Sequence, residues 1–494
     1  MIESIQLDKN SNRHLYIQLY SQLRELIEIG ELKEHSKLPS IRKFSKELGV
    51  NNVTVVNAYN LLEEEKLLYK KVGSGTFVAP KEIVQDEEEI YLDDDIYIDE
   101  DTKFVDKKGM LKEDKLINFA TAAPTPDLFP IAPFKRLLNK VLDRDGGYAF
   151  GYQKSQGYMP LRDSISKYIK SYDIDAKLDE IQIVSGAQQG IDILAKTFLD
   201  YGDTVFVERP TYPGAISVFK SRRANIVDIT IESDGINIEE LETKLKVNKA
   251  KFLYLMPNFQ NPTGYSYSQE KKNKILELAR EHDLLIIEDD CLSDLNYGVN
   301  KKLSLKSQDT EGRVIYIKSF SKIFMPGLRL AFLIIPQRYF NDILLSKYMS
   351  DIFTDGLVQR VLDLYFREEV WEKQISKVEK TYQKRYEVMI KSLKSNLPVE
   401  INFNPPLGGL NVWLDLPEGI SGKKIHDKGL KEGINIAPGQ VFYNSQREEN
   451  KLRLSIAAVT TKEIEMGIKI LSKIIKEELS NQEYDWDNSI MPLI

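Results

Sequence analysis

From about residue 116 onward one pattern recurs along the chain: a short, largely apolar run, a turn signal, then a helical stretch. The runs are 181–184, 204–207, 252–256, 284–288, 314–317 and 330–335. Each has the length of a buried strand rather than a buried helix. Strands separated by helices specify an α/β domain with a mostly parallel sheet. A smaller α+β part is expected from about residue 370, with strands near 409–414 and 452–457.

The chain has 494 residues, too many for one ordinary domain, so two or more are expected. Its only cysteine is Cys291, which excludes a disulfide within the chain and suits a reducing compartment. The four histidines (His14, His35, His282 and His426) stand far apart, so no metal site is expected. The longest apolar runs, such as 330–336, are too short to cross a membrane. Met1 is followed by no charged-then-apolar leader, and a cytoplasmic protein is expected. The net charge of −7 is unevenly spread, because residues 81–115 hold 14 Asp and Glu against six Lys. That segment reads as an acidic, solvated linker between residues 1–80 and 116–494.

Chemistry-bearing residues gather where the apolar runs end. Ser319-Phe320-Ser321-Lys322 follows one run, and Met325-Pro326-Gly327-Leu328-Arg329 comes next. A Schiff-base site needs a stationary amine, with hydroxyls and a guanidinium nearby for a phosphate. Ser185-Gly186-Ala187-Gln188-Gln189-Gly190 follows a strand and opens a helix, a junction whose free N–H groups suit an anion. Tyr212 lies in Glu208-Arg209-Pro210-Thr211-Tyr212-Pro213-Gly214. Asn258-Phe259-Gln260-Asn261-Pro262-Thr263-Gly264 and Glu288-Asp289-Asp290 close two more strands. Taken singly, each has a plainer reading: a solvated loop lysine, a packing tyrosine, a surface acidic cluster.

Together, and in this order, these motifs resemble the fold-type I aminotransferases, which bind pyridoxal phosphate. The resemblance covers nearly all of residues 116–480 and implies a role for each position. Lys322 would carry the cofactor as a Schiff base. Ala187, Gln188, Ser319, Ser321 and Arg329 would cradle its phosphate, and Tyr212 would stack on the pyridine ring. Asn261 would bond the phenolic oxygen, and Asp289 would keep the pyridine nitrogen protonated. Arg453, in Leu452-Arg453-Leu454-Ser455, would grip a ligand carboxylate bidentately. Tyr152 and Gly157 resemble a loop reaching the neighbouring subunit's phosphate. One departure stands out: the family usually has a Tyr two or three positions after Asp289, where this chain has Cys291 and Leu292.

The first 80 residues read differently. Apolar stripes at Leu15, Leu19, Leu23, Leu26 and Ile27, then Ile41, Phe44 and Leu48, then Val55, Ala58, Tyr59 and Leu62, give three helices. Tyr69 to Val78 alternates and turns at glycines, as a two-stranded wing does. Leu38-Pro39-Ser40-x-Arg42, Leu48-Gly49-Val50, Thr54-Val55, Ala58-Tyr59 and Gly73-Ser74-Gly75-Thr76-Phe77-Val78 together resemble the winged helix of GntR-type regulators. That resemblance implies that residues 51–60 enter the major groove of double-stranded operator DNA, with Asn51, Asn52 and Thr54 at its start. Ser40, Arg42 and the wing, including Lys70, Lys71, Gly75 and Thr76, would touch phosphate. Members of the family often carry a basic residue where Asn52 stands.

A GntR-type winged helix joined to an aminotransferase-like domain resembles the MocR/GabR-type regulators. The expectation is a pyridoxal-phosphate-dependent transcription factor that senses an amino compound or a B6 vitamer and forms a head-to-tail, domain-swapped homodimer. Two rivals share these residues: an aminotransferase carrying a DNA-binding domain, and a DNA-binding protein whose large domain only dimerises.

Overall fold

The computed structural model describes residues 5, 7, 15–28, 32–33, 35–64, 67–71, 75–79, 116–298, 303–445 and 450–489. The chain divides into two compact units, Met1–Asp95 and Ile96–Ile494. The acidic stretch 81–115, the wing-tip residues Gly73 and Ser74, and His14 lie outside the described residues.

In the first unit α1 (Leu15–Glu28), α2 (Ile41–Leu48) and α3 (Asn52–Glu64) precede the antiparallel strands β1 (Leu68–Lys71) and β2 (Gly75–Val78). The three apolar stripes converge, burying Leu19, Leu23, Leu38, Phe44, Val55, Ala58, Tyr59 and Leu62 in one core. Gly49 ends α2 in the left-handed region, with φ of 63°. Glycine reaches that conformation without a Cβ penalty, so the chain turns sharply into α3.

The second unit opens with β3 (Ile117–Asn118), α4 (Ile131–Asp145) and α5 (Met159–Ile169). A sheet follows, built from β4 (Ile181–Val184), β5 (Thr204–Arg209), β6 (Asn225–Glu232), β7 (Gly235–Ile236), β8 (Ala250–Leu255), β9 (Leu285–Asp290), β10 (Val314–Ser319) and β11 (Ala331–Ile334). Their spatial order is β4-β11-β10-β9-β8-β5-β6-β7. Neighbours from β10 through β6 pair in parallel, whereas β11 runs antiparallel to both β10 and β4. The connecting helices α6 (Ala187–Phe198), α7 (Pro213–Ser221), α8 (Ile238–Val247) and α9 (Gln269–Glu281) cover the sheet. The mostly parallel α/β sheet read from the apolar runs is therefore present. The reading missed β6, which lies toward the sheet edge and is half exposed along most of its length. Its mixed sequence lacks the continuous apolar run that marks a central strand.

After α10 (Phe340–Asp351), α11 (Gly356–Arg367) and the long α12 (Val370–Asn396), the chain forms a second small sheet. It consists of β12 (Asn411–Asp415), β15 (Lys451–Ser455) and β14 (Ala437–Pro438), with α13 (Gly422–Lys431), β13 (Ile434–Asn435) and α14 (Thr461–Ser489) alongside. Among the described residues no helix is long and apolar enough to cross a membrane.

Candidate functional site

Parallel strands bring their C-terminal ends to one edge of a sheet, where ligands bind in α/β folds. Here the loops after β4, β5, β8, β9 and β10 enclose a cavity of about 700 Å³. Ala187 and Gln188 line it from the start of α6, and Tyr212 from the start of α7. Asn261, Asp289, Ser319, Ser321, Lys322 and Arg329 complete the set, so nine residues singled out in the sequence share one cavity.

Local packing anchors the backbone on either side of Lys322. Phe320 and Phe324 flank it in sequence and are both buried. Their rings meet Trp371 at 5.2 and 5.5 Å, and Phe324 also meets Tyr365 at 5.0 Å. The end of the cavity lined by Arg329 depends on a glycine. Gly186 adopts φ of 90°, and a Cβ there would come within 2.4 Å of the Arg329 guanidinium. Only glycine lets that charge lie against the loop that opens α6.

The acidic end is buried. Asp289 accepts hydrogen bonds from Tyr254 Oη at 2.7 Å and Cys291 Sγ at 3.2 Å. Burial pushes its pKa up to about 6, while those two donors and the Lys322 charge oppose the rise. Cys291 thus lines the cavity and donates to Asp289, at the place where the resemblance led us to expect a nearby Tyr. Beside it, Lys318 is fully buried and stands opposite Asp290 in the β9–β10 register. Its Nζ lies 2.7 Å from Asp294 Oδ2, 3.6 Å from Asp290 Oδ2 and 4.6 Å from the centre of the Tyr172 ring. Burial disfavours the charge, but Asp290 and Asp294 outweigh it and raise the lysine's pKa. Sequence reasoning missed Tyr254 and Lys318, because an isolated polar residue in an apolar run carries no periodic signal.

Two sequence candidates stand apart from the cavity lining. Arg453, on β15, is buried. It donates to Asn261 Oδ1 at 3.1 Å and to the Ala120 carbonyl, and lies 4.9 Å from the centre of the Phe442 ring. It therefore sits against Asn261, a lining residue. Tyr152 is 89% exposed and touches Phe353 edge-on at 5.7 Å.

In the first unit Ser40, Arg42, Asn51, Asn52, Lys70, Lys71 and Gly75 are exposed, whereas Thr54 and Thr76 are half-buried. Several of these side chains are already engaged. Asn51 Oδ1 accepts from the Val53 N–H at 3.2 Å, and Asn52 Oδ1 accepts from the Ser45 hydroxyl at 2.5 Å. Lys70 pairs with Glu63 at 2.5 Å and donates to Asn60 at 3.3 Å. Exposed pairs of this kind contribute little and are readily exchanged for a phosphate.

Comparison with known proteins matches these two units to two families. Residues 114–471 match the family of aminotransferases class I and II, and residues 15–78 match the bacterial regulatory proteins of the gntR family. An aromatic-amino-acid aminotransferase 1 of Thermococcus litoralis is 32% identical over 75% of this chain and 90% of its own length. The crystal structure of a Pyrococcus horikoshii kynurenine aminotransferase, in complex with PMP, is 34% identical with a TM-score of 0.72. That alignment covers 74% of this chain and 92% of the other. Along nearly the full length, the uncharacterized HTH-type transcriptional regulator YdfD of Bacillus subtilis is 30% identical over 94% of this chain and 96% of its own. The cavity suits the family's cofactor: a helix N-terminus, hydroxyls and a guanidinium for a phosphate, a buried carboxylate for a ring nitrogen, and an amine. The chain belongs to the aminotransferase class I and II family, in its MocR-type fusion with a gntR-family helix-turn-helix, and its cofactor is pyridoxal phosphate.

Proposed function

We propose that this protein is a transcriptional regulator that binds operator DNA through its winged helix and senses an amino compound or a B6 vitamer in the cavity of its large domain. The observation that carries this reading is the meeting of nine candidate residues in one cavity, in a chain that also has a helix-turn-helix unit. Lys322 would hold the cofactor covalently through its amine, and Tyr212 would cover the ring. The backbone at Ala187 and Gln188, with Ser319, Ser321 and Arg329, would hold the phosphate. Asn261 would donate to the phenolic oxygen, and Asp289, fixed by Tyr254, would hold a proton on the ring nitrogen. When bound, pyridoxal phosphate supplies an aldehyde carbon that amines attack and a ring that withdraws electrons.

An amine ligand with a carboxylate would draw Arg453 away from Asn261 and the Ala120 carbonyl. That change is the candidate switch. Tyr152, exposed in the single chain, suits a contact with a neighbouring subunit in a head-to-tail homodimer. A second reading is a working aminotransferase, favoured because Lys322, Asp289, Asn261 and Arg453 are all retained. The rival predicts many turnovers with common amino donors; the regulator predicts at most slow conversion. The direct test of the leading reading is colour. Purified protein incubated with pyridoxal phosphate should absorb in the visible, and Lys322→Ala should lose that band. A colourless wild type would sink the proposal.

A further inference from the structure

We propose that Val53 and Asn57, on the exposed face of α3, are the base-reading pair, and that the base pairs they select are A·T. This inference rests on the reading that the winged helix binds operator DNA. The buried stripe of α3 is Val55, Ala58, Tyr59 and Leu62. At 3.6 residues per turn the opposite face carries Val53 and Asn57, one turn apart. Val53 is 58% exposed, an apolar side chain turned away from the core that its helix helps to form. Asn57 is exposed and makes no side-chain hydrogen bond among the described residues.

The two earlier asparagines are chemically poorer readers. An amide distinguishes adenine by donating to N7 while accepting from the N6 amino group. The carbonyl of Asn51 already receives the Val53 N–H, and that of Asn52 receives the Ser45 hydroxyl. Each of these amides is held by that bond with one acceptor lone pair already used, so it is less free than Asn57 to turn both its atoms to an adenine edge. Asn57 has both atoms available. A methyl-bearing side chain at Val53 complements the C5-methyl group of thymine. Residues 52–62 contain no Arg or Lys to read guanine and no carboxylate to read cytosine. Positions four apart on a helix are separated by about 6 Å, so the pair spans about two base-pair steps.

The experiment selects duplexes from a randomised pool with the full-length, pyridoxal-phosphate-loaded protein at fixed salt. The expected consensus has A·T pairs at the α3-read positions of each half-site. Replacing one by G·C should weaken binding roughly 5- to 100-fold. Asn57→Ala should erase most of that discrimination while leaving binding to unrelated DNA unchanged. Replacing the contacted thymines by deoxyuridine removes only the methyl groups; wild type should lose affinity several-fold, and Val53→Ala, which keeps a single shorter methyl, should lose markedly less. Both side chains are exposed, and the deoxyuridine arm leaves the protein unaltered. A G·C consensus, or discrimination that survives in Asn57→Ala, would overturn the inference while the regulator reading stands. Failure to retain any duplex above non-specific binding would overturn both.

Discussion

At the scale of single residues, the cavity combines a lysine with a buried carboxylate. Burial raises the pKa of Asp289 to about 6, above its ordinary value of 3.8. A carboxyl whose folded pKa is raised favours folding while protonated, and that contribution is lost as pH rises from about 4 through 6. Glu208 and Glu288 are also buried and pushed up to about 7, so they act in the same direction. Asp289→Asn should therefore flatten part of the decline in apoprotein stability across pH 4–6. At pH 7 it should leave the apoprotein more stable than wild type by roughly 2–3 kcal/mol, with weaker cofactor retention. Thermal unfolding at several pH values, with and without pyridoxal phosphate, checks both parts. A mutant as pH-dependent as wild type would mean that Asp289 is not the titrating group. Much of this site was legible because the nine candidate residues that line it sit in short motifs close to strand ends. Tyr254 and Lys318 were not, since within β8 and β10 their neighbours declare only a buried strand.

At the scale of elements, β9 and β10 carry both the acid and the approach to the amine, and Lys318 links them. Its ion pair with Asp294 and the Tyr316 hydroxyl donated to Asp290 at 2.5 Å join the ends of the two strands in a buried network. Removing one partner of a buried pair leaves an uncompensated charge, which costs about 3–5 kcal/mol. Lys318→Ala should lower the stability of the large domain by that order in denaturant unfolding. Asp294→Asn added to Lys318→Ala should recover part of the loss. A single mutant within about 0.5 kcal/mol of wild type would place it among ordinary surface substitutions. Then the network would not be what holds these strand ends together. The sheet was readable from its central strands, whose burial makes them continuously apolar. Strand β6, between β5 and the two-residue edge strand β7, was not, because its half-exposed length admits polar and charged residues.

At the scale of the whole molecule, a ligand alters DNA binding only through different affinities for two states of the protein. Arg453 is the residue best placed to make that difference, because it is bound to Asn261 and the Ala120 carbonyl and would exchange them for a ligand carboxylate. Arg453→Ala should keep its colour and its operator affinity but lose the response to a carboxylate-bearing amine effector. Wild-type coupling is expected at about 1–3 kcal/mol. Operator binding at fixed salt, with and without the effector, in both proteins, is the measurement. An undiminished response in the mutant would show that the carboxylate is sensed elsewhere.

The claim on which all of this depends is that Lys322 carries the cofactor. Borohydride reduction of the loaded protein fixes the cofactor to whichever amine holds it, and peptide mapping by mass spectrometry then names that residue. The account predicts a phosphopyridoxyl group on Lys322 and loss of that labelled peptide in Lys322→Ala. Label on a different lysine, or none after full loading, would contradict it.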